Sequence, residues 1–188
     1  MKYCNYCNPE WVKKFHNLKY MNYFTKIEGN MFYIFEVPKR EKIFQLRVKP
    51  QLVFSCCMCK MHEVTLLDIL YMYDFEHEYK TLFLSSEWTK MRNNQLYCKI
   101  GDTAWNSKFD NLRHGVYKTI ITKYKLYITC EAYYGAGPNM ISPSFLAELD
   151  VNHIHESTLI EVLLSYNFGA SYSYLYEMES YKSLCEKE

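Results

Sequence analysis

Two closely spaced cysteine pairs constrain this chain more than any other feature. Cys4-x-x-Cys7 opens the sequence, and Cys56-x-x-Cys59 follows after 48 intervening residues. A two-residue spacer lets both thiolates of a pair reach one ion from a tight turn, and two such turns complete the tetrahedron zinc prefers. One pair alone would suit a redox site or ordinary thiols equally well; two pairs favour a metal. The pattern predicts one structural zinc held by Cys4, Cys7, Cys56 and Cys59. Four cysteine ligands leave no open coordination position, so such an ion supports a fold rather than a reaction. Cys57, beside Cys56, is read as a spare thiol. Cys98, Cys130 and Cys185 stand singly, as buried thiols in a reducing compartment do.

The chain has 188 residues, 49% of them apolar and 18% aromatic, which is enough for a sizeable core. No apolar run approaches the ~20 residues of a membrane span, and Met1–Lys14 lacks the apolar stretch of a secretory signal. These features predict a soluble, cytoplasmic protein with no membrane partner.

Asn8-Pro9-Glu10 reads as a helix start, with an Asn cap and proline at the first helical position. The helix is expected to run on through Trp11, Phe15 and Leu18. Met31–Val37 and Lys42–Val48 read as a hairpin, and Leu52–Phe54 as a short strand entering the second cysteine cluster. Periodicity does not settle whether Leu66–Tyr73 and Tyr79–Leu84 are helices or strands. Lys118–Ala132 reads as one strand with Ile120, Tyr124, Leu126, Ile128 and Cys130 on its core face. Gly135–Asn139 reads as a turn. Ser142-Pro143 is expected to cap a helix carrying Phe145, Leu146 and Leu149. Thr158-x-x-Glu161 is expected to open another as a capping box, ended by Gly169. No internal repeat is expected. The fold class is α+β: a zinc-ribbon module over residues 1–66, packed on a mixed body over 67–188 with antiparallel strands and C-terminal helices.

The opening Tyr3-Cys4-Asn5-Tyr6-Cys7-Asn8-Pro9-Glu10, the hairpin, and Val53-Phe54-Ser55-Cys56-Cys57-Met58-Cys59-Lys60-Met61 resemble the small zinc-ribbon proteins of phages of low-GC Gram-positive bacteria. Those close on Cys-Pro-Met-Cys-Gly; Cys57 replaces the proline here and Lys60 the glycine. The resemblance covers the first third of the chain. A ribbon on an unfamiliar body is similar in type to zinc-binding phage anti-CRISPR proteins directed at Cas9. It implies a non-enzymatic inhibitor of a bacterial defence nuclease, acting by protein contact that blocks nucleic-acid loading.

Charge distribution suits that expectation. Residues 131–188 carry 2 basic and 9 acidic side chains, while residues 88–130 carry 8 basic and 2 acidic. Glu148, Asp150, Glu156, Glu161, Glu177 and Glu179 could face a groove built for phosphates. The alternative is a nucleic-acid-binding zinc-ribbon regulator, in which Trp88, Tyr97 and Trp105 stack on bases while lysines track the backbone. His153-x-His155-Glu156 and the group Asp74, Glu76, His77, Glu78 are weaker candidates for catalysis and cation binding. The first precedes a helix cap, and the second reads as a solvated loop. Gly135-x-Gly137 is too short for a phosphate-binding turn.

Overall fold

The computed structural model describes residues 2–38, 49–93, 96–131 and 144–185. Among them, no helix is long and apolar enough to cross a membrane. The architecture is α+β, with two four-stranded antiparallel sheets and helices around them.

The first half starts with α1 (Pro9–Phe15), whose Asn8 side chain accepts from the Glu10 amide at 2.9 Å. Strands β1 (Lys19–Tyr20), β2 (Tyr23–Glu28), β3 (Met31–Glu36) and β4 (Gln51–Cys57) follow in sheet order. Then come α2 (Glu63–Met72), two short 3-10 turns and α3 (Ser86–Asn93). The second half repeats the plan. It has α4 (Thr103–Phe109), a sheet of β5 (Arg113–His114), β6 (Tyr117–Thr122), β7 (Lys125–Cys130) and β8 (Ser144–Asp150), then α5 (Glu156–Ser165), a 3-10 turn, α6 (Tyr174–Glu177) and α7 (Glu179–Cys185).

The expectation of no internal repeat is therefore wrong: the chain is two copies of one unit. Trp11, Phe15, Asn17, Leu18 and Thr25 recur as Trp105, Phe109, Asn111, Leu112 and Thr119, and the recurrence reaches single hydrogen bonds. Thr25 donates to the Phe15 carbonyl at 2.6 Å and accepts from the Leu18 amide at 2.9 Å; Thr119 does the same with Phe109 and Leu112 at the same distances. The Trp11 and Trp105 indoles donate to Glu63 and Glu156 respectively. Asn17 and Asn111 share a left-handed backbone at φ 60° and 57°. The bulge after Ile34 in β3 returns after Ile128 in β7. The likeness escaped the sequence reading because loops and surfaces diverged, leaving the shared residues isolated at buried or specially turned positions.

Four further expectations change. Ser144–Asp150 is a strand, not a capped helix: Ala147 and Leu149 are buried at strand spacing, and pairing with β7 overrides the local helix signal. Thr158 and Glu161 form no capping box, since α5 starts at Glu156 and both side chains turn toward the other half. The α5 terminus lies at Ser165, with Asn167 rather than glycine in the left-handed position (φ 65°). Gly169 instead lies under Tyr176 and Leu164, whose side chains would have to shift to admit a Cβ 2.5 Å from the Tyr176 hydroxyl. Lys118–Cys130 is a hairpin rather than one strand, and Ala132 lies outside the described residues. Tyr124 sits exposed in its turn, and the core face of β6 is carried by Thr119.

Lys42–Val48 lies outside the described residues, as does Gly135–Asn139. The described partners of β3 are β2 and β4. Leu66–Tyr73 is largely the helix α2, so the module boundary expected near residue 66 falls inside a helix. The two sheets meet along β4 and β8, and α2 packs on α5.

Candidate functional site

The two halves are joined by a reciprocal polar arrangement at the starts of α2 and α5. Glu161 on α5 accepts from the His62 amide at 3.0 Å and from the Thr65 hydroxyl, while its other oxygen lies 2.6 Å from His62 Nδ1. Asp68 on α2 accepts from the His155 amide at 2.9 Å and the Thr158 hydroxyl at 2.7 Å, with His155 Nδ1 at 3.1 Å. Each carboxylate thus serves the first turn of the opposite half's helix, where backbone donors lack internal partners and negative charge is favoured. Tyr3 and Tyr97 stack on the two imidazoles at the same 4.3 Å centroid distance. The signal was present in the sequence as His62-Glu63-x-Thr65-Leu66-x-Asp68 against His155-Glu156-x-Thr158-Leu159-x-Glu161.

His, carboxylate and hydroxyl together suggest a catalytic triad, but the connections differ. Each threonine donates to the carboxylate rather than to the imidazole, which is not the hydroxyl–imidazole–carboxylate order of a triad. All six side chains are buried. The arrangement holds the halves together. His153, by contrast, is exposed and lies 3.1 Å from Asp150.

The four expected zinc ligands fall into two environments. Cys4 and Cys56 are core residues, and burial raises both thiols well above the ordinary range. The repeat explains them: Cys4 corresponds to Cys98, and Cys56 to the fully buried Leu149. Cys7 and Cys59 are exposed. Among the described residues no group of three or more Cys, His, Asp or Glu is arranged to hold a metal ion.

Cys57, set aside in the sequence reading, lies at the centre of the exposed thiol chemistry. Its Sγ is 2.9 Å from Cys59 Sγ. Asn30, in the turn between β2 and β3, donates through Nδ2 to Cys59 at 2.8 Å and to Cys57 at 3.4 Å. The Asn30 carbonyl accepts from the Met58 amide at 2.8 Å, which ties the turn to the segment between the thiols. Tyr6 hydroxyl reaches Cys59 Sγ at 3.9 Å. Hydrogen bonds from Cys57 and then Asn30 lower the Cys59 thiol below its usual range, whereas partial burial raises Cys57.

None of this pole recurs in the other half. Tyr6, Cys7, Asn30, Cys57 and Cys59 correspond to Ile100, Gly101, Tyr124, Asp150 and Asn152. A groove of about 480 Å³ adjoins the pole, running from Cys57, Cys59 and Lys60 in the first half to Asn167, Tyr176 and Tyr181 in the second.

Most of the acidic residues expected to face a partner have internal ones. Glu148 pairs with Lys125, Asp150 with His153 and Glu177 with Lys182. Glu156 accepts from Trp105 and from Ser180, and Glu161 is buried in the inter-half contact. In the basic stretch, Trp88 and Trp105 are core residues rather than stacking platforms. Asp74 begins a 3-10 turn after α2 in a left-handed conformation matched by Asn167, which accounts for its place beside Glu76 and His77.

The fold and its polar seam define a duplicated α+β protein. No family model matches the chain, and it is similar to no curated protein or solved structure at a significant level.

Proposed function

We propose that this chain is a binding protein acting by protein contact at the pole where its two copies differ. One observation carries the reading. Shared residues lie in the core and the seam, while Tyr6, Cys7, Asn30, Cys57 and Cys59 gather at one end without counterparts. What sets these departures apart is that they place a phenol, an amide and two thiols within hydrogen-bonding reach of one another. The adjoining groove offers Tyr176, 46% exposed, the residue type protein interfaces favour, with Lys60 at its rim.

A photo-crosslinking residue at position 176 should capture a partner that the same residue at position 124 does not. Excess wild-type protein should compete, and the Lys60→Ala, Tyr176→Ala variant should not. Equal capture at both positions would defeat the proposal. The expectation of a defence nuclease rests on the resemblance of the first third, and guide-loaded Cas9 is the first partner to try. Target-DNA binding should fall when the chain is in excess; unchanged binding removes Cas9 as the target. The zinc expectation rests on cysteine spacing. It requires about one equivalent of metal in the purified protein, lost in Cys7→Ser and Cys59→Ser but kept in Cys57→Ser.

A further inference from the structure

We propose that Cys57 and Cys59 form a thiol–disulfide exchange centre whose substrate is a small disulfide of the oxidised-glutathione class. The inference goes beyond contact with a protein partner, does not depend on it, and is an alternative to zinc ligation by Cys59, which would occupy the attacking sulfur.

Three observations carry it. The two sulfurs lie 2.9 Å apart, so closing a bond between them needs only a small side-chain movement. This closeness follows from the turn: Cys57 closes β4, Cys59 stands in the turn just after it, and the Cys59 amide points back to Cys57 Sγ at 3.5 Å. Cys57 ends β4, and the next amide, Met58, is held by the Asn30 carbonyl with its side chain buried. Second, access is graded: Cys59 is exposed and Cys57 half-buried behind it, the order needed for an attacking and a resolving thiol. Third, Asn30 donates to both sulfurs, and Tyr6 to Cys59. Donors of this kind stabilise negative charge on sulfur as it attacks or leaves. Lys60, at the edge of the adjoining groove, supplies a cation for the carboxylates of a glutathione-type disulfide.

The chemistry balances in two exchanges. Cys59 sulfur attacks one sulfur of the small disulfide, forms a mixed disulfide and releases one small thiol, which takes up the proton Cys59 gave up. Cys57 sulfur then attacks Cys59 sulfur in that mixed disulfide. It closes the Cys57–Cys59 bond and releases the second small thiol with the proton from Cys57. The protein loses two hydrogens, and one small disulfide becomes two thiols.

The test uses the full-length protein, its zinc content measured beforehand, incubated with oxidised glutathione and mapped by mass spectrometry after alkylation. Wild type should lose two alkylatable thiols, mapped to a Cys57–Cys59 bond. Cys57→Ser should stop at one glutathione on Cys59. Cys59→Asn, which places there the residue the second half carries, should react at least about tenfold more slowly. Unaltered far-ultraviolet circular dichroism and melting temperature certify that each variant is folded. A bond mapped between other cysteines, a Cys57→Ser protein with no adduct on Cys59, or wild type retaining both thiols would overturn the centre. Partner capture at position 176 alongside unreactive thiols would remove this centre and leave the binding role standing.

Discussion

At the scale of single residues, the seam explains two tyrosines that no motif marks. Tyr166 hydroxyl reaches across to Ser55, 2.5 Å from its carbonyl oxygen and 2.9 Å from its Oγ, while Tyr73 donates to the Glu148 carbonyl at 3.0 Å. Ser55 and Glu148 are equivalent positions in the two copies, so each tyrosine anchors its helix to the other half's sheet. Burial raises both phenols. A phenol raised by folding favours the native state below its unfolded value of about 10, and that contribution is lost as pH climbs past it. The buried thiols Cys4 and Cys56 and the half-buried Cys98 are raised as well, so the loss begins near their unfolded value of about 8.5. Urea unfolding should therefore show falling stability from pH 8.5 upward, steepening near 10. Tyr166→Phe should cost about 1–3 kcal/mol at neutral pH and flatten the steeper part. An unchanged alkaline slope would mean that Tyr166 does not carry it.

At the scale of elements, the cross-capping of α2 and α5 makes a sharper claim. Glu161 is the acceptor for a backbone amide, a hydroxyl and an imidazole of the other half, and Asp68 is its mirror. Removing either carboxylate strands three buried groups. Glu161→Ala and Asp68→Ala should each destabilise by about 3–5 kcal/mol, since each strands several buried groups at about 1–3 kcal/mol apiece. The check is the urea midpoint at constant slope. A loss under about 1 kcal/mol, the size of an exposed ion pair, would mean the seam is held by apolar packing alone. The exposed Glu10–Lys13 pair on α1 is the control, and Glu10→Ala should change little.

At the scale of the molecule, the contacts between halves are exchanges rather than additions. Each half supplies the carboxylate that the other's helix start needs, and β4 lies against β8 as α2 lies against α5. Either half alone would leave the first turn of its helix and one face of its sheet uncovered. Fragments 1–93 and 96–188 should accordingly be largely unfolded separately and form a one-to-one complex with native-like circular dichroism when mixed. A fragment that folds cooperatively by itself would refute this dependence. The thiol pole, lying outside the shared plan, should be dispensable for the assembly.

Some of this was legible in the sequence because it depends on neighbours along the chain. The Asn8-Pro9 helix start, the strand leading into Cys56 and the α+β class all follow from local steric and hydrogen-bonding preference. The cysteine spacing does not state which sulfurs face solvent; strand alternation decided that for Cys56 and Cys57. It turned Cys56 inward and Cys57 toward the surface, and the turn after β4 brought Cys59 beside Cys57. The rest was tertiary. Ser144–Asp150 is a strand because β7 is there to pair with it. Thr158 and Glu161 are not a capping box because their partners, Asp68 and His62, come from the other copy. A local signal states what a residue can bond within one turn of chain. Burial against a second copy gave these side chains partners too distant in sequence for that signal to contain.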